Sequence, residues 1–145
     1  MRIKNSTITL GYFLFLALFF SMLTSCSRKI AFERSTVVPA AEGQVIMKRD
    51  SNKNYSVEVN VTNLAQPNQL TPPRSVYVVW LQTTEYETRN IGQLISSSGL
   101  FSSGLKGSLK SVSATKPTRV FITAEDNANL LVPGPQVVIS TPIFE

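Results

Sequence analysis

The nine residues Ser75-Val76-Tyr77-Val78-Val79-Trp80-Leu81-Gln82-Thr83 decide how this chain folds. From Val76 to Leu81 every side chain is apolar, and most are β-branched or aromatic, the types that suit a pleated surface. Successive side chains leave a strand on opposite sides, so Tyr77, Val79 and Leu81 form one row and Val76, Val78 and Trp80 the other. A strand that is apolar on both faces is a central one, covered from both sides. In a two-sheet protein its outer face needs a cover of its own. The Pro-rich stretch 64–74 or the segment before residue 42 is the expected source.

Outward from that strand the chain keeps a period of two. Residues 55–62 alternate Tyr55, Val57, Val59 and Val61 with Ser56, Glu58, Asn60 and Thr62, which predicts a half-buried strand. With residues 44–48 and the turn formers of 49–54 it makes the first hairpin. Pro67, Pro72 and Pro73 rule helix and central strand out of 64–74, whose length suits a crossover between sheets. Residues 91–95 read as a return strand with Gly92 at a bulge, and 105–112 as a short strand or irregular segment. Residues 118–125 alternate again, 126–129 turn, Val132-Pro133-Gly134-Pro135 bends, and 136–141 form the last strand, with Phe144 folding back onto the core. The expectation is all-β: an antiparallel β-sandwich of immunoglobulin-like size, with about six or seven strands and no helix.

The N-terminus carries a second message. A basic start (Arg2, Lys4) leads into an apolar run ending in Leu23-Thr24-Ser25-Cys26, the order of a secretory signal peptide. Leu-Thr-Ser-Cys resembles the lipobox of bacterial lipoproteins. The resemblance implies cleavage between Ser25 and Cys26, a diacylglycerol on the Cys26 sulfur and an acylated new N-terminus. An uncleaved membrane helix fits less well, since residues 8–23 would span about 24 Å against a hydrocarbon core of about 30 Å. An ordinary secreted chain would instead carry one unpaired thiol into an oxidising compartment. The expected organisation is a cleaved signal at 1–25, a lipidated tether at 26–42 that could lend a short edge strand at 36–38, and the sandwich at 43–145. Two or more acyl chains hold a protein stably on a membrane. Ser27 after Cys26 resembles the default for outer-membrane sorting, so the domain is expected in the cell envelope, facing the periplasm.

Composition narrows the chemistry. After the signal is removed, twelve basic and nine acidic residues remain, a formal charge of +3, and nowhere do more than two basic residues adjoin. No nucleic-acid footprint is present. The chain has no histidine, and its single cysteine is the lipid site. Histidine triads, cysteine nucleophiles and the usual zinc sites are thereby excluded, and neither a cofactor nor a metal is expected. Glu85 and Glu87 fall in a turn beside Arg89, and Glu125-Asp126-Asn127 lacks the spaced ligands of a calcium loop. An enzyme reading would require a pocket that gathers Glu58, Glu87 or Glu125 with a second polar group.

Tyr77-x-Val79-Trp80-Leu81, Gly92, Phe121-x-Thr123-Ala124-Glu125 and Pro133-Gly134-Pro135-x-Val137-Val138 occur in an order that resembles the extracytoplasmic domain of anti-sigma-K (RskA-type) factors. The resemblance covers about residues 75–141 and implies a small β-sandwich outside a membrane. The cytoplasmic sigma-binding part of such factors has no counterpart here, so it implies at most a periplasmic sensor-like domain. Leu100 and Phe101, set among serines, are the candidate partner-binding loop. They either tuck into one end of the sandwich, as apolar pairs on monomers usually do, or form an exposed tip. The reading of the whole is a lipid-anchored envelope module with a non-catalytic binding or structural role. Its partners are membrane lipid through acylated Cys26 and an envelope protein.

Overall fold

The computed structural model describes residues 27–85, 87–98 and 104–145. Among them lie nine strands: β1 Ser27–Ala31, β2 Glu42–Arg49, β3 Tyr55–Leu64, β4 Val76–Thr83, β5 Thr88–Gln93, β6 Ile95–Ser98, β7 Leu105–Ser113, β8 Pro117–Glu125 and β9 Val137–Ser140. They form two antiparallel sheets, β1-β2-β3-β7-β6 and β5-β4-β8-β9. The protein is an all-β sandwich. It has nine strands rather than the expected six or seven, because residues 27–31 form a strand and the return strand is divided between the two sheets.

The central strand sits where its sequence requires. β4 pairs with β5 on one side and β8 on the other, and Tyr77 to Leu81 are all buried. Its inner row, Tyr77, Val79 and Leu81, meets Val45, Val57, Val59 and Val61 of the facing sheet. Each of those valines is at most 1 % exposed, so the core is close-packed where the alternation of β3 is cleanest. Tyr55, at the strand end, is only half-buried.

The outer row forms a second, smaller core. Val78 and Trp80 pack with Phe121, and Trp80 lies parallel to Phe121 with ring centroids 6.4 Å apart. The indole Nε1 donates to Thr123 Oγ1 at 2.8 Å, so the buried N–H is satisfied. The cover is neither the Pro-rich stretch nor the N-terminal segment. It comes from 126–136, whose Leu130 closes over this core. Asn90 on β5 holds that loop down, its Nδ2 donating to the carbonyls of Ala128 and Leu130 at 2.8 and 2.9 Å.

The expected tether is a structural part of the domain. Ser27 to Ala31 pair with Lys48 to Gln44 of β2, and Ile30 is buried. The edge strand is therefore at Ser27–Ala31, not at 36–38, which form bends. An edge strand can dock through one apolar side chain while its neighbours stay in water, which is why Ser-Arg-Lys-Ile-Ala shows no period. Residues 32–41 then strap β1 to β9. Glu33 N–H donates to Ser140 O at 2.8 Å, and the buried Ser35 hydroxyl donates to Val138 O while accepting from Val38 N–H at 2.9 Å. Ser35→Ala strips these groups of their partner and should cost about 1–3 kcal/mol. The urea midpoint should fall with an unchanged slope.

On the opposite side the sheets are joined by the chain itself. Only Leu94 separates β5 from β6, and its N–H donates to Tyr77 O at 2.9 Å. The expected bulge is present: Val79 faces Gly92 and Trp80 faces Asn90, leaving Ile91 unpaired in the register. Gly92 has φ +132°, a region open to glycine, and a Cβ there would lie 3.2 Å from Leu109 Cδ1. The hairpin of β2 and β3, the 64–74 crossover (with a 3-10 turn at Pro67–Gln69 and a cis Thr71–Pro72 bond), the strand at β7 and the fold-back of Phe144 all occur as expected.

Candidate functional site

Antiparallel register divides the sandwich into two ends. Ser27 faces Lys48, Tyr55 faces Ser113, and Thr83 faces Pro117, so the start of β1 shares an end with the turns 50–54, 84–85 and 114–116. The C-terminal tail returns to the same end, Phe144 N–H donating to Thr118 O at 2.8 Å. Arg28 locks first strand to last residues. Its Nη1 donates to Glu145 O and its guanidinium lies 5.7 Å above the Phe144 ring.

At this end lies a groove of about 340 Å³, bounded by Gln82, Thr83, Thr84, Thr118, Ile143 and Phe144. Ile143 is 77 % exposed at its lip. Thr83 is buried, and its hydroxyl has no hydrogen-bond partner among the described residues. The groove's lining is mixed, with Ile143 and Phe144 set against Gln82, Thr83, Thr84 and Thr118. The sheet containing β1 brings Arg28, Lys48, Arg49 and Lys53 to the same end. Asp50 is occupied by the turn itself, its carboxylate accepting from Asn54 N–H at 2.8 Å.

The opposite end is organised differently. A groove of about 430 Å³ runs between Gln66, Asn68, Arg74 and Leu105. Arg74 already donates from Nη1 to Asp126 at 2.7 Å and from Nε to Gln136 at 3.0 Å, so it is not a free cation for an anionic ligand. Glu125 is buried and accepts the Gly134 N–H at 2.8 Å. A Cβ at Gly134 would come within 2.6 Å of that carboxylate, which accounts for glycine there. The Thr-Ala-Glu and Pro-Gly-Pro elements thus meet at one hydrogen bond.

The candidate carboxylates do not converge. Glu58 stands on the outer face of the first sheet, with Asn60 Nδ2 at 3.1 Å and Lys110 Nζ at 3.2 Å. The Asn60 hydrogen bond first, then Lys110, holds its carboxyl below the usual value. Glu87 pairs with Arg89 at 2.8 Å in the exposed turn that also carries Glu85. Glu125 occupies a third place. Among the described residues no three acidic, histidine or cysteine side chains come together as a metal site.

Ser25, Cys26, Leu100 and Phe101 lie outside the described residues. Sequence reading passed over Leu131 and Val132, which are 92 % and 73 % exposed beside the buried-side anchor Leu130. The signal was present: three apolar residues between the turn formers 127–129 and Pro133. The role of the C-terminal tail in walling the groove was missed as well, and no local pattern announces it.

Tyr77 and Trp80 take opposite faces, as alternation requires. The Tyr77 hydroxyl donates to Ala65 O at 2.9 Å, and burial pushes its pKa up from 10.0 to about 12. Folded Tyr77 therefore stays neutral where unfolded Tyr77 has begun to ionise. Stability is untouched below pH 10 and declines as pH rises from 10 towards 12. Tyr77→Phe should cost about 1 kcal/mol at pH 7 and flatten the alkaline decline. Urea midpoints of both proteins from pH 8 to 11.5 test this.

These features define a class: a β-sandwich strapped shut at one edge, with a basic, grooved end at the start of its first strand. No family model, curated protein or solved structure matches the chain.

Proposed function

We propose that this chain is a lipid-anchored cell-envelope module, a β-sandwich with a non-catalytic binding or structural role, held by acylated Cys26 at the outer membrane and facing the periplasm. The observation that carries the reading is the position of Ser27. The residue that follows the lipobox cysteine is the first residue of β1, paired with Lys48. Cleavage before Cys26 removes no residue of any described strand, and a lipid on Cys26 leaves from one end of the sandwich. In this reading the anchor is covalent lipid, since the apolar run at 8–23 is short for a membrane span. The separation of Glu58, Glu87 and Glu125 favours binding over catalysis.

Fractionation tests the reading. The native protein should stay with membranes through a high-salt, alkaline wash and leave them in detergent. Cys26→Ala should be neither cleaved nor acylated, accumulating as a precursor of full-length mass. A native protein released by the wash would sink the proposal. Crosslinking in intact cells would then identify the envelope partner.

A further inference from the structure

We infer that the Ser27 end of the sandwich is a seating face for the anionic headgroup plane of the membrane that holds the protein's lipid. The inference rests on the lipid anchor proposed above and adds an orientation to it. Had 26–42 been a flexible tether, the domain could have tumbled at a distance. Instead β1 begins one residue after Cys26 and is fixed twice, to β2 along its length and to the C-terminal tail through Arg28. A lipid on Cys26 therefore brings this end, and no other, against the headgroups.

The chemistry of the end fits that neighbour. Arg28, Lys48, Arg49 and Lys53 gather on the side of the first sheet; Asp50 is spent on its own turn, and Glu58, which Lys48 also faces, is engaged by Asn60 and Lys110. On the side of the second sheet Glu87 pairs with Arg89, and Lys116 shares the end with two acids, Glu85 and Glu145. Cationic charge is thus concentrated at one corner, and the domain should lean onto it. Ile143, beside the 340 Å³ groove, supplies an exposed apolar side chain at the same level. The opposite end is about 30 Å away, taking the ten residues of β3 at about 3.3 Å each. Attraction to a charged surface fades within a Debye length of about 8 Å, so charges there contribute nothing to seating.

The test uses the acylated protein reconstituted in vesicles of phosphatidylcholine with phosphatidylglycerol. A fluorophore is attached at Asn52→Cys in the 50–54 turn, at Thr84→Cys in the 84–85 turn, or at Asn68→Cys at the far end, and is quenched by headgroup-labelled lipid. Quenching should fall in the order 52, 84, 68. The difference between 52 and 84 should shrink towards none with Lys48→Glu and Arg49→Glu together, or in phosphatidylcholine alone, while 68 stays the least quenched. Equal quenching at all three sites in protein of acylated mass overturns the seating face and leaves the anchor standing. A mass without acyl chains removes the anchor and the seating face together.

Discussion

A mature chain that lacks residues 27–41 is expected to have no cooperative fold. The segment supplies β1 and the strap, and with them Ile30, Val38 and Ala41 of the main core, all at most 8 % exposed. Burying Ile30 and Val38 contributes about 1.5–3 kcal/mol each. Loss of Ser35 and its partners adds about 1–3 kcal/mol, and the sum approaches the 5–15 kcal/mol that holds a typical domain together. Truncation would also expose the edges of β2 and β9, which pair with other chains when bare. Circular dichroism and urea titration of residues 42–145 against 27–145 should show an aggregating, non-cooperative chain. A sharp transition at the full-length midpoint would mean that 27–41 is a tether after all.

Trp80→Ala should be the most damaging single substitution, at about 3–5 kcal/mol. Trp80 is fully buried and forms the centre of the outer core with Val78 and Phe121. Its removal leaves a large cavity under Leu130 and orphans the Thr123 hydroxyl. The damage should also reach the 126–136 loop, because Leu130 and Trp80 pack together while Asn90 holds only the backbone. Hydrogen exchange at 126–136 should therefore quicken in the variant even where the rest stays folded. Trp80→Phe should cost far less and keep the loop protected. A midpoint shift for Trp80→Ala within that of a surface substitution would refute the outer core.

Where burial follows a local period, the fold is legible in the residues. β3 declares its inner face through Val57, Val59 and Val61, and β4 declares its central place through two apolar rows. What escaped is tertiary. β1 has one buried side chain, Ile30, and its place depends on the free edge of β2. Ser35 looks like loop composition, yet its hydroxyl is a buried joint between strap and β9. The return strand was seen as one, because nothing in Asn-Ile-Gly-Gln-Leu-Ile announces a change of sheet after Leu94. The cover of Trp80 was assigned to the wrong stretch, since Leu130 counts as an apolar anchor only once Asn90 reaches the loop. The candidate site was partly legible: Arg28-Lys29 and Lys48-Arg49 stand out as adjacent basic pairs. Their union with Lys53 and the C-terminal tail at one end is a matter of antiparallel register.

The central claim is that a lipid on Cys26 holds this sandwich directly at a membrane. Intact mass of the membrane-extracted protein, beside Cys26→Ala, tests it most directly. The expected mass is that of residues 26–145 plus a diacylglyceryl group and a further acyl chain, absent from the variant. An unacylated mass, whether of the full precursor or of a chain cut elsewhere, would contradict it.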